Sequence, residues 1–129
     1  MPVRIGIVGV GKIARDQHIP VIAASPGFEL VVTADPNGRV EGVPGCSSIE
    51  EMLAGPVAFD AVALCQPPQA RFDAARAALD AGKHVCLEKP PGATLSEVET
   101  LCELATARGL TLFASWHSRF ASGVAPARE

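Results

Sequence analysis

The chain has 129 residues, of which 48% are hydrophobic and 19% charged, with a formal net charge of -3. That length fits one domain, the apolar content excludes disorder, and the acidic balance disfavours nucleic-acid binding. No run approaches the ~20 apolar residues of a membrane span, so no membrane partner is expected.

The predicted elements alternate between strand and helix. Arg4 to Val8 is a short apolar run ending in glycine, which reads as a buried parallel strand. A helix starts at Lys12, Pro20 is expected to break or kink it, and Ser25-Pro26-Gly27 stops it. Phe28 to Ala34 is the second strand, followed by turn residues Asp35 to Gly38. Ser47 and Ser48 open two overlapping capping boxes with Glu50 and Glu51, so a short helix begins there and ends at Gly55-Pro56. Ala61 to Cys65 is another strand, closed by Pro67-Pro68.

Gln69 to Ala81 reads as a helix with its alanines and Leu79 on one side, and Arg71, Asp73, Arg76 and Asp80 largely on the other. Gly82 caps it, and His84 to Leu87 is a strand. Thr94 and Glu97 form a further capping box, behind which Leu95, Val98, Leu101, Cys102 and Ala105 share one helical face. Gly109 closes that helix and Leu110 to Ser115 is the last strand. This alternation predicts an α/β fold, a Rossmann-type doubly wound parallel sheet with right-handed crossovers. Cys46, Cys65, Cys86 and Cys102 form no CxxC pair. They read as reduced, mostly buried thiols of a cytoplasmic protein, with neither disulfides nor zinc.

Gly9-Val10-Gly11-Lys12-Ile13-Ala14 fits G-x-G-x-x-G/A between a predicted strand and a predicted helix. In that setting Gly9 permits the tight turn and Gly11 lets the backbone approach a pyrophosphate. Ala14 lets helix and strand pack closely, and the helix start offers N–H groups to the anion. A ribose-binding carboxylate is expected about 20 residues on, and Asp35 stands there. Its charge favours NAD over NADP, while Arg39 offers a guanidinium to a 2′-phosphate and keeps NADP possible.

Together with Glu88-Lys89-Pro90, that loop resembles the glucose–fructose oxidoreductase and inositol dehydrogenase (Gfo/Idh/MocA) family. Gly9 to Pro20, Leu87 to Glu99 and Leu110 to Arg119 are most similar to its aldose 1-dehydrogenase branch, which acts on L-arabinose and D-galactose. The resemblance implies that Lys89 faces the reacting carbon of a sugar and that Glu88 lies near the nicotinamide ribose. It implies that Gln66 and Pro67 lie over the dinucleotide, and that His117 borders the substrate. Family members often carry a histidine where Arg71 stands.

The resemblance further implies a Rossmann domain over residues 1–120, with 121–129 leading toward a second, substrate-binding domain. The function implied is hydride transfer from C1 of an aldose to nicotinamide. A sugar is the expected small-molecule partner and a homo-oligomer the expected full-length assembly. Two other readings use the same loop: a non-catalytic NAD(P)-sensing module of the family, and an S-adenosylmethionine methyltransferase, in which Glu88-Lys89-Pro90 would have no role.

Overall fold

The computed structural model describes residues 2–89 and 94–114. Its strands are β1 (Val3–Val8), β2 (Phe28–Ala34), β3 (Gly45–Cys46), β4 (Ala61–Leu64), β5 (His84–Leu87) and β6 (Leu112–Ala114). Between β1 and β2 a π-helical turn (Ala14–His18) runs into α1 (Ile19–Ala24). The later helices are α2 (Ile49–Ala54), α3 (Pro68–Asp80) and α4 (Leu95–Arg108).

All pairings are parallel and the strand order is β3-β2-β1-β4-β5-β6. The chain thus winds outward from β1 in one direction, returns, and winds outward in the other. Open α/β sheets place ligands where the direction reverses, beyond the carboxyl ends of the strands. Here those ends are level. Ala34, Val8, Leu64, Leu87 and Ala114 are Cα partners in successive strands. Asp35, Gly9, Cys65 and Glu88 therefore leave the sheet side by side.

Strand side chains alternate between two cores, as a period of two requires. Val8, Val62, Leu64, Val85 and Leu87 join Ala74, Ala75, Ala78, Leu79 and Leu101 under the later helices. Ile7 and Ala63 face the other way, onto Ala14 and Ile22 of the first helical segment. Beside that smaller core an apolar cavity of about 430 Å3 lies against the sheet, lined by Ile5, His18, Val21, Phe28, Ala63 and Phe113 among others.

Several expectations are corrected. Pro20 does not end the helical segment but lies in the first turn of α1, which starts at Ile19 as a new turn at Ile19-Pro20 allows. Proline cannot donate the N–H that an α-turn needs, and the preceding turn widens, with the Ile19 N–H donating to the Ala14 carbonyl five residues back. β3 was not foreseen, because two residues carry no periodicity. Leu95 and Cys102 were placed on the inner face of α4, but both are exposed, Leu95 at 73%. Leu101 and Ala105 hold that face, with Leu104 packed against the core. The thiols are not mostly buried: Cys46, Cys65 and Cys86 are half-buried, and all four are free.

Candidate functional site

The glycine loop crosses the switch point between β1 and β4. Gly9 donates its N–H to the Ala34 carbonyl at 2.8 Å, and Cys65 donates to the Val8 carbonyl at 2.8 Å. Gly9 has φ +91°, and a Cβ there would lie 2.8 Å from the Gln66 nitrogen. Both facts demand glycine. Gly11 differs: its φ is not positive, and an added Cβ would meet nothing within 4 Å among the described residues. Its bare backbone therefore faces open space. Helix begins at Lys12, and Arg15 donates to the Gly11 carbonyl at 3.1 Å. The first N–H groups of a helix have no acceptor within it and are available to an anion. Ala14 is fully buried against the sheet and Ile13 half-buried, while Lys12 is exposed and pairs with Asp16 at 2.5 Å.

Asp35 holds this loop from the β2 end. Its Oδ2 accepts the Val10 N–H at 2.7 Å, and its Oδ1 accepts those of Asn37 at 2.8 Å and Gly38 at 2.7 Å. Burial pushes its pKa up, but these three donors and the Arg39 charge outweigh it and hold the carboxyl below its usual range. Arg39 Nη1 donates to the carbonyls of Asp35 at 2.6 Å and Gly38 at 2.8 Å. Arg15 donates in turn to the Arg39 carbonyl at 2.9 Å.

At the β4 exit, Gln66 donates its amide to the Ala70 carbonyl at 3.3 Å, while its Oε1 is buried with no donor among the described residues. Pro67 is the exposed cap residue of α3. Arg71 was expected on the outer side of that helix, but it is 3% exposed and points inward. It lies on one helical stripe with Ala74, Ala75 and Ala78. Its Nε donates to the Gln66 carbonyl at 2.6 Å and its Nη1 to the Glu88 carbonyl. Burial pushes the Arg71 pKa down, opposed by the Glu88 charge, and a guanidinium keeps its proton regardless.

Glu88, 7% exposed, follows β5. Its Oε2 lies 2.6 Å from His18 Nε2, and its Oε1 accepts the Lys89 N–H at 3.2 Å. Burial pushes this carboxyl up, but the His18 hydrogen bond, the Lys89 N–H and the Arg71 charge bring it below its usual range. Burial first, and then the Glu88 charge, push the Cys65 thiol up to about 12 and that of Cys86 up to about 11. Lys89 is exposed at this edge. His84 accepts the Thr111 N–H at its Nδ1 at 3.0 Å, a structural bond between β5 and the residue before β6. His117 lies outside the described residues.

The structure thus gathers Gly9, Gly11, Asp35, Gln66, Glu88 and Lys89 along one sheet edge. Arg71 and His18 belong to the same cluster. Arg71 had a visible signal, since it falls in step with three inward alanines. For His18 the family resemblance implies a place near the cofactor, but its carboxylate partner, 70 residues away, is not legible in the sequence.

A parallel sheet in this order, with an open glycine loop at its switch point, defines a dinucleotide-binding Rossmann domain. The residues present fit such a ligand. The space beside Gly11 would be filled by any Cβ there, and among the described residues the buried Gln66 Oε1 has no donor. The profile of the oxidoreductase family with an NAD-binding Rossmann fold matches residues 3–115, and the chain belongs to that family.

The galactose 1-dehydrogenase of Pseudomonas fluorescens is 50% identical over 96 residues, covering 74% of this chain and 32% of that protein. The crystal structure of D-galactose-1-dehydrogenase from Rhizobium etli matches with a TM-score of 0.91 and 59% identity, over 98% of this chain and 41% of that one. A 3-ketoreductase from Actinomadura kijaniata, solved with TDP-benzene and NADP, matches with a TM-score of 0.81 and 28% identity, over 89% of this chain and 37% of that one. The chain therefore spans well under half the length of these relatives.

Proposed function

We propose that this chain is the dinucleotide-binding part of an NAD-dependent aldose 1-dehydrogenase. The enzyme would oxidise C1 of a cyclic sugar of the galactose or arabinose type to an aldonolactone. The observation that carries the reading is the open space beside Gly11 at the start of a helix, at the switch point of the sheet. The similarity to two galactose 1-dehydrogenases supports the sugar class. It favours an enzyme over a non-catalytic sensor.

When bound, NAD supplies the hydride acceptor. The chain's residues bind and orient. The amides of Gly11, Lys12 and Ile13 hold the pyrophosphate, with Gly9 setting the turn and Ala14 seating the helix. Asp35 is ionised and has room for one further donor, a ribose hydroxyl. Its charge opposes a 2′-phosphate, and Arg39, committed to two carbonyls, leaves NAD preferred over NADP. Gln66 and Pro67 border the nicotinamide half, and Glu88 its ribose. Lys89 stands at the C-terminal side of β5, where its ammonium can hydrogen-bond the sugar hydroxyl. As an ammonium it stabilises the developing alkoxide charge; only where it is desolvated and neutral does its amine take up the hydroxyl proton as C1 is oxidised. His117 serves as a donor to another sugar hydroxyl. The complete enzyme is a homo-oligomer of the cytoplasm, where its four thiols stay reduced.

Calorimetric titration tests the binding. NAD and NADH should give saturable heats, NADP weaker ones, and S-adenosylmethionine none. Absence of heat with all three nicotinamide dinucleotides at millimolar concentration would refute the reading.

A further inference from the structure

We infer that Arg71 and His18 are positioning residues for Lys89, acting through the peptide unit that joins Glu88 to Lys89. The inference rests on the reading of Lys89 as the group that faces the sugar. That peptide is held at both of its polar ends. Its carbonyl accepts from Arg71 Nη1. Its N–H donates to Glu88 Oε1 at 3.2 Å, and the other oxygen of the same carboxylate meets His18 Nε2 at 2.6 Å. A peptide unit is planar, so fixing both ends fixes its rotation and with it the direction in which Lys89 leaves the backbone.

The two holds come from separate elements, α3 and the π-helical turn before α1. Arg71 also grips the Gln66 carbonyl at 2.6 Å, tying the exit of β4 to that of β5. A residue needed only for packing at this place would be apolar, like its stripe neighbours Ala74, Ala75 and Ala78. A buried guanidinium is instead retained beside a buried carboxylate, each offsetting the other's desolvation. The wide turn has a matching role. It carries His18 at its last position, on the side where Glu88 emerges.

The test uses the full-length protein with aldose and NAD. Arg71→Met and His18→Leu should each lower kcat by about 10- to 100-fold, the range that misplacing a reacting group costs, with the sugar KM and the NAD Kd little changed. Arg71→Lys keeps the charge but reaches one carbonyl, and should recover part of the loss. His18→Gln keeps a donor near the Nε2 position and should recover most of it. A merely structural role would lower Tm without separating kcat from KM and without this rescue.

Amide hydrogen exchange at Lys89 gives a readout independent of turnover. It should quicken by about tenfold in Arg71→Met and His18→Leu, as expected for loss of roughly one hydrogen bond's protection. Unchanged kcat and unchanged exchange in both variants would overturn the inference. If Lys89→Met itself leaves kcat intact, the catalytic reading of Lys89 fails, and the exchange data still decide whether the peptide is held. If Arg71→Met does not fold, the His18 pair carries the test.

Discussion

Gly9 and Gly11 stand two residues apart in one loop and are glycine for different reasons. At Gly9 a side chain would need an unfavourable φ and would strike the Gln66 backbone. At Gly11 it would strike nothing among the described residues. Gly9→Ala should therefore destabilise the fold by about 1–3 kcal/mol, the cost of a strained backbone position. Gly11→Ala should leave stability within about 0.5 kcal/mol, yet weaken NAD binding by about tenfold, equivalent to roughly 1.4 kcal/mol. Urea denaturation and calorimetry on the two variants separate the effects. Equal loss of stability in both would contradict the assigned geometry. The motif alone marked both glycines for a dinucleotide, because it follows a strand and opens a helix. It did not show that Asp35 already accepts three backbone N–H groups, since loop closure depends on the turn at Asn37 and Gly38. Arg71 was misplaced for a different reason. Its charge suggests an outward face, yet positions 71, 74, 75 and 78 fall on one stripe.

At the scale of elements, ends were more legible than faces. Two serines compete to begin α2. The structure chooses Ser48, whose hydroxyl accepts the Glu51 N–H at 3.2 Å, while Ser47 contributes its backbone N–H to the Glu51 carboxylate. Ser48→Ala should cost about 1 kcal/mol as a lost cap, and Ser47→Ala less than about 0.5 kcal/mol. Thermal unfolding of the two variants would show the choice, and equal shifts would refute it. Gly109 closes α4 with φ +67°, and Leu110 donates back to the Ala105 carbonyl at 2.9 Å, as the glycine at the end of the apolar pattern implied. The wide turn before Pro20 was not legible. A proline signals that one hydrogen bond is missing, but not whether the chain bends, stops or widens. The decision rests with Ala14 and Ile22, which must both reach the sheet.

For the whole molecule, the alternation of strand and helix was enough to give a parallel sheet, while its strand order is read from the structure. What the sequence could not give was the common level of the strand ends, a matter of register between segments far apart in the chain. That register sets Cys65 and Cys86 near the Glu88 carboxylate, while Cys102 sits exposed on α4. The four thiols consequently form a graded series toward electrophiles, because attack requires both access and thiolate. A maleimide dye near neutral pH should couple to Cys102 first, to Cys46 more slowly, and to Cys65 and Cys86 only as the fold opens. Peptide mass spectrometry over a time course reads that sequence, and early adducts at Cys65 would contradict it. With Cys102 labelled alone, the domain gains a single optical reporter on a helix away from the glycine loop, ready for following ligand exchange in real time.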